Sequence, residues 1–217
     1  MPQHFKPSKP RQAAKATKVA NRIRIIGGAW RSRVLEFPDA AGLRPTANRV
    51  RETLFNWLGQ SLHGKRCLDL FSGSGALGFE AASRGAAETV MLEVQRDAVA
   101  ALKVNQSKLA ATSCRVIAMD GLKFLDGNRE RFDIVFVDPP FSSELMAAVL
   151  KKLPEHLVDG GMVYAESADP IDVVLSKLPA THWQVAKNGR AGAVHFALLK
   201  YPGASPPSFN LDSSASQ

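Results

Sequence analysis

Leu68-Asp69-Leu70-Phe71-Ser72-Gly73-Ser74-Gly75-Ala76-Leu77-Gly78 decides the fold. An apolar strand beginning at Cys67 runs into it, and Gly73, Gly75 and Gly78 are spaced G-x-G-x-x-G ahead of a helix expected over Ala76–Ser83. Glycines at this spacing let backbone turn tightly and approach a ligand at a helix N-terminus. The spacing alone fits a dinucleotide oxidoreductase, but Asp69 argues against it. A carboxylate four residues before the first glycine would repel a pyrophosphate, whereas a ligand with an ammonium group and no phosphate would welcome it. The other reading of Asp69 is a buried carboxylate that caps the backbone turn.

Downstream, strands and helices alternate. Strands are expected at Thr89–Glu93, Arg115–Ala118, Phe132–Val137 and Met162–Ala165. Helices are expected over Arg96–Leu109, Leu122–Leu125, Leu145–Leu153 and Ile171–Leu178. This order predicts right-handed crossovers and a mostly parallel sheet covered on both faces, an α/β Rossmann-like fold. Two last runs, His182–Ala186 and Ala193–Leu199, predict an antiparallel hairpin closed by an Asn188–Gly192 loop, with Arg190 in that loop. Upstream, Arg22–Phe37 predicts a small hairpin around Gly27-Gly28, and Thr46 or Asn48 is placed to cap a helix carrying Val50, Leu54, Trp57 and Leu58. The expected organisation is a basic disordered tail over 1–21, a hairpin-and-helix extension over 22–62, a catalytic domain over 63–201 and a disordered tail over 202–217.

A length of 217 residues with 45% hydrophobic residues supports one sizeable core. No apolar run is long enough for a bilayer, and the basic N-terminus lacks the apolar core of a secretory signal, so a cytoplasmic protein is expected. Cys67 and Cys114 are read as small buried thiols, and His63, His156, His182 and His195 have no metal-site spacing. Charge is the uneven property. Twelve of the 28 Lys and Arg residues fall in 1–51, against Glu36 and Asp39 alone, so that segment carries +10 and the remainder −2. A polyanion is the natural partner.

Three acids mark strand ends. Glu93 lies 20 residues after Gly73, where a carboxylate can accept both ribose hydroxyls of a nucleoside. Asp120 is placed either to contact a base or to cap the next helix. Asp138 opens Asp138-Pro139-Pro140-Phe141 at the end of the fourth strand of the series, on the edge where α/β chemistry sits. A carboxylate and the Pro139 carbonyl can each accept one hydrogen of an exocyclic amine. Pro139 and Pro140 fix φ, and Phe141 offers a face on which a purine can stack. An amine held this way can be aligned with a methyl donor, with Asp138 stabilising the charge that develops on nitrogen or taking its proton. A base inside a duplex could not reach such a site.

These residues resemble the class I S-adenosylmethionine (SAM)-dependent methyltransferases that modify exocyclic amines. Arg24–Arg33 (RIIGGAWRSR), Gly42–Leu58 (GLRPTANRVRETLFNWL) and the final hairpin resemble more narrowly the 16S rRNA guanine-N2 methyltransferase family RsmD, with the likeness spanning about Arg22 to Tyr201. The resemblance implies transfer of a methyl group from SAM to N2 of one guanine of small-subunit rRNA. A monomer without metal or membrane attachment is expected, since the sequence has no coiled coil, exposed apolar stripe, metal-site spacing or long apolar run. The resemblance also implies that Asp69, Phe71, Ser72, Gly73, Gly75, Glu93 and Asp120 hold SAM. Asp138, Pro139 and Pro140 would hold the guanine, with Phe141 stacked on it. Arg24, Arg31, Arg33, Arg44, Arg49 and Arg51 would be the RNA-binding candidates. An adenine-N6 or DNA methyltransferase, and a non-catalytic RNA-binding module, are the competing readings.

Overall fold

The computed structural model describes residues 20–38, 47–140, 143–178 and 183–203. Among these the elements run β1 (Ala20–Arg24), β2 (Val34–Pro38), α1 (Asn48–Trp57), β3 (Arg66–Asp69), α2 (Ala76–Ser83), β4 (Glu88–Glu93), α3 (Arg96–Leu109), β5 (Cys114–Ala118) and α4 (Gly121–Gly127). There follow β6 (Phe132–Val137), α5 (Ser143–Lys152), β7 (Leu157–Ser167), α6 (Ile171–Ser176), β8 (Gln184–Ala191) and β9 (Val194–Lys200). The two tails lie largely outside the described residues, as do Arg44, Thr46, Phe141 and His182. No helix among the described residues is long and apolar enough to cross a membrane.

The main sheet has the order β5-β4-β3-β6-β7-β9-β8. β5, β4, β3, β6 and β7 are mutually parallel, and β9 and β8 complete the edge antiparallel. The chain therefore steps outward from β3 through β4 to β5, then returns to the other side of β3 with β6. That reversal between β3 and β6 is the topological switch point, where an open α/β sheet leaves a crevice beyond its strand ends.

The central strands read as nearly continuous apolar runs because both their faces are covered. Leu68, Val90, Val135 and Val163 pack with Met146 and Leu150 of α5 on one face. On the other, Cys67, Ile134, Phe136 and Tyr164 pack with Val50, Leu54 and Phe55 of α1 and Leu77 of α2. Each such large side chain fully withdrawn from water stabilises the fold by roughly 1.5–3 kcal/mol.

The β1–β2 hairpin buries Ile23, Ile25, Leu35 and Phe37 against Phe79 of α2 and Leu102 of α3. Its turn is fixed by polar contacts. Glu80 of α2 accepts the Ile26 and Gly27 N–H groups at 2.8 Å each, and Ala29 donates to the Ser83 carbonyl at 2.7 Å. Gly28 has φ +75°, and a Cβ there would stand 1.9 Å from the Ser83 oxygen. This position requires glycine for both reasons.

Several expected boundaries shift. α1 starts after Ala47 with no side-chain cap, and Asn48 is its first residue, accepting instead from Arg51 Nη2 at 2.7 Å. β7 extends from Leu157 to Ser167 because its antiparallel pairing with β9 stabilises residues that lie beyond its apolar run. The final hairpin turns at Gly192, with Asn188, Gly189 and Arg190 all paired within β8, so Arg190 is a strand residue.

Candidate active site

The glycine-rich turn is held by two carboxylates. Asp69, at the end of β3, is buried, and its Oδ2 accepts the Gly78 N–H at 3.0 Å. The capping role that its sequence position allows is therefore present, while the residue also lines the cleft described below. Burial pushes the Asp69 carboxyl up to about 7, against the opposing pull of the Gly78 and Phe71 N–H groups. Glu93, at the end of β4, accepts the Gly73 N–H at 2.9 Å through Oε2 and the Val94 and Gln95 N–H groups through Oε1. A carboxylate offers about four acceptor positions, so one remains for a ligand hydroxyl. Gly75 has φ +79° and abuts Leu102 and Phe79, where a side chain would collide at 2.6–2.7 Å. Asp120 is the N-cap of α4, accepting from the Lys123 N–H at 3.0 Å, and it too reaches the cleft.

Beyond the strand ends lies a cleft of about 690 Å³. Phe71, Ser72 and Gly73 of the turn line it together with Asp138, Pro139 and Pro140. Sequence reasoning missed other parts of the lining: Ala47 and Val50 at the start of α1, Ala191 and Val194 at the β8–β9 turn, and Glu166 on β7. Glu166 was hidden because β7 was expected to stop at Ala165. Six carboxylates line the cleft, Asp69, Glu93, Asp120, Asp138, Glu166 and Asp169, and no Lys, Arg or His is among the described lining residues. Such a site disfavours a pyrophosphate and favours a ligand that carries positive charge. Gly73 also has its N–H committed to Glu93, so the turn does not offer that donor to a phosphate.

Asp138 and Glu166 are brought together by register. The β6–β7 pairing runs through Phe136↔Tyr164 to Val137↔Ala165, and the two acids follow one residue later. Phe136 and Tyr164 share the core on the α1 side of the sheet, so Asp138 and Glu166, two residues on, continue that face. Tyr164 O–H donates to Glu166 Oε2 at 2.8 Å. Burial raises the Tyr164 hydroxyl well above its usual range, and the Glu166 and Asp138 carboxylates add to the shift. Burial likewise raises the Glu166 carboxyl, with Tyr164 opposing.

The arginine candidates divide. Arg24, Arg31, Arg33 and Arg49 are exposed. Arg31 and Arg33 lie in the segment joining β1 to β2 and not on an alternating strand face, while Arg24 Nη1 donates to the Ser32 carbonyl and Arg33 Nη2 to the Lys108 carbonyl. Arg51 is a correction. It is fully buried, paired with Glu80 at 3.4 Å and bonded to the Arg24 carbonyl at 2.9 Å, so it cannot meet RNA. Glu80, which joins Arg51, Arg84 and the hairpin turn, was not singled out from sequence. Its signal was a lone acid in Ala76–Ser83, a helix with no polar face to place it on.

Comparison with known proteins agrees with this architecture. The model of the family described as "Conserved hypothetical protein 95" matches residues 23–200. Ribosomal RNA small subunit methyltransferase D of Escherichia coli K12 is 42% identical, over 83% of this chain and 91% of its own length. The protein of the same name from Haemophilus influenzae is 38% identical, over 82% and 93%. A solved structure described as a putative methyltransferase, yhhF, from Escherichia coli superposes with a TM-score of 0.75 at 38% identity, covering 85% of this chain and all of that one. With most of its length matched, described fold included, this chain belongs to the ribosomal RNA small subunit methyltransferase D (RsmD) family.

Proposed function

We propose that this protein methylates small-subunit ribosomal RNA, at the exocyclic N2 of one guanine, with SAM as methyl donor. The rRNA methyltransferase reading is supported by the names of relatives that match along nearly their whole length. The observation that carries the finer reading is the cleft whose described lining has six carboxylates, Asp138 beside Pro139 among them, and no Lys, Arg or His. A cleft of that charge suits SAM, which is cationic at sulfur and amine, better than a dinucleotide.

The described residues fit the donor. Ser72, Gly73 and Gly75 form the turn against which its amino-acid part would lie, near the Asp69 carboxylate. Glu93 would take one ribose hydroxyl with its remaining acceptor position, and Asp120 would face the adenine. Bound there, SAM supplies an electrophilic methyl group on a sulfonium. The protein's own task is then to present the amine. Asp138 accepts one amine hydrogen and the Pro139 carbonyl the other, which draws the nitrogen lone pair out of conjugation and aims it along the line of attack. The Asp138 carboxylate stabilises the positive charge that grows on nitrogen and accepts the proton released. Pro139 and Pro140 hold this geometry without backbone freedom. Phe141, outside the described residues, is proposed as the stacking face for the flipped base. Arg24, Arg31, Arg33 and Arg49 are proposed to grip rRNA phosphates, with Arg44, also outside the described residues, as a further candidate.

The test is incubation with methyl-labelled SAM and small ribosomal subunits from cells lacking the endogenous enzyme, followed by digestion to nucleosides and mass spectrometry. Label in N2-methylguanosine, reduced at least about 10²-fold by Asp138→Ala while SAM still binds, is expected. Label in N6-methyladenosine would overturn the guanine assignment.

A further inference from the structure

Glu166 has no part in the chemistry above, yet it stands beside Asp138 and faces the same cleft. We infer that Glu166 reads the target base, accepting the N1–H of guanine while Asp138 and Pro139 hold the neighbouring N2 amine. This rests on the guanine-N2 reading.

Placement comes first. β6 and β7 are parallel neighbours, and Asp138 and Glu166 each follow the last paired residues, Val137 and Ala165, by one position. Neighbouring strands lie about 4.8 Å apart. Carboxylates rooted on neighbouring strands, on one face, can converge on two hydrogen-bond donors along one edge of a flat base. The Watson–Crick edge of guanine presents such a pair, N1–H beside N2–H. Adenine presents its amine beside an N1 lone pair. A carboxylate against that lone pair sets acceptor against acceptor in a partly buried site, which costs far more than leaving one hydrogen bond unmade.

Glu166 is also held for this work. Tyr164, fully buried, donates its O–H to Oε2 at 2.8 Å, which fixes the carboxylate and leaves Oε1 for a ligand. The Tyr164 O–H favours the ionised, accepting form of Glu166 and so works against the upward push of burial. The raised carboxyl noted above means the charged form is under-solvated, so an N–H from the substrate has more to contribute than at a solvated carboxylate. Val50 and Ala47, also in the lining, have apolar side chains that do not compete for N1–H.

The experiment uses small subunits reconstituted with rRNA bearing either guanine or 2-aminopurine at the target position. 2-Aminopurine keeps the N2 amine but has a lone pair in place of N1–H. The wild-type protein is expected to methylate the guanine form about 10²–10³-fold faster. Glu166→Gln can turn a carboxamide N–H toward the lone pair. It is expected to slow methylation of guanine and to bring the two bases within about 10-fold of each other, measured at saturating SAM. Comparing both enzymes on both bases removes the intrinsic difference in amine reactivity. Equal wild-type rates on the two bases would overturn the inference, and so would full discrimination surviving in Glu166→Gln. Both outcomes leave guanine-N2 methylation standing. Absence of N2 label from the wild-type protein on guanine would sink that reading and this inference together. If Glu166→Gln does not fold, as judged by thermal melting and SAM binding, Glu166→Ala takes its place on both bases, and full discrimination surviving there would overturn the inference.

Discussion

Arg51 of α1 and Glu80 of α2 meet at 3.4 Å with neither side chain open to solvent. Glu80 also receives Arg84 at 2.8 Å and two backbone N–H groups of the hairpin turn, so one carboxylate ties α1, α2 and the N-terminal extension together. Desolvating such a cluster costs several kcal/mol, and the carboxylate offsets that only while its partners are present. Glu80→Ala would leave Arg51 buried without its counter-charge. The expected loss of stability is about 3–5 kcal/mol by denaturant titration. A loss under about 1 kcal/mol would show that the cluster adjusts freely.

The burial of Arg51 separates it from the other arginines of the extension. Arg31→Ala and Arg33→Ala remove exposed cations and should leave SAM affinity unchanged and melting temperature nearly so, Arg33 losing only its exposed bond to the Lys108 carbonyl. Binding to rRNA should weaken, and the slope of log affinity against log salt should fall by about one for each phosphate that is no longer neutralised. Arg51→Ala should behave oppositely, lowering the melting temperature sharply. A salt slope that stays constant across the exposed variants would remove the hairpin from the RNA interface.

The contrast between these arginines marks what the sequence could show. The α/β order, the parallel core and the strands expected at Phe132–Val137 and Thr89–Glu93, observed at Phe132–Val137 and Glu88–Glu93, followed from apolar runs between glycine turns, because strands buried on both faces leave that signature. The acids Asp69, Glu93 and Asp138 were legible from their places at strand ends, and the structure brings all three to one cleft. Arg51 was misread because helical spacing puts it beside Val50 and Leu54, and only the position of α2 reveals that a counter-charge waits there. Glu166 was lost for a similar reason. Antiparallel pairing with β9 lengthens β7 past its apolar run, and no local pattern records a partner strand about 30 residues away.

Asp69 gives the protein a pH dependence of calculable sign. Burial holds its carboxyl at about 7 in the folded state against an ordinary 3.8. Folding therefore takes up a proton between those values, and the group's contribution to stability is full below about pH 4 and lost as pH rises to about 7. Relative to Asp69→Asn, the wild-type protein should lose on the order of 3 kcal/mol across that window. Under the proposed function the same charge favours a cationic donor, so SAM affinity should rise as pH passes through 7 and then level off. Parallel stability curves for the two proteins from pH 4 to 8 would place the titration elsewhere.

Gly28 tests whether the extension serves the chemistry or the substrate. Its φ of +75° and the 1.9 Å approach of an added Cβ to the Ser83 oxygen mean that Gly28→Ala must push the hairpin turn off α2. The Glu80 bonds to Ile26 and Gly27 and the Ala29 bond to Ser83 would weaken with it. The glycine turn at Gly73–Gly78 is held separately, by Asp69 and Glu93, so it should keep its shape. SAM binding is therefore expected within about 3-fold of wild type, while transfer to ribosomal subunits falls at least about 10-fold as the exposed arginines lose their fixed position. Calorimetric titration of SAM beside the labelled-subunit assay separates the two effects. Equal losses in both would mean that the hairpin supports the whole fold and does not act as a rigid arm for RNA.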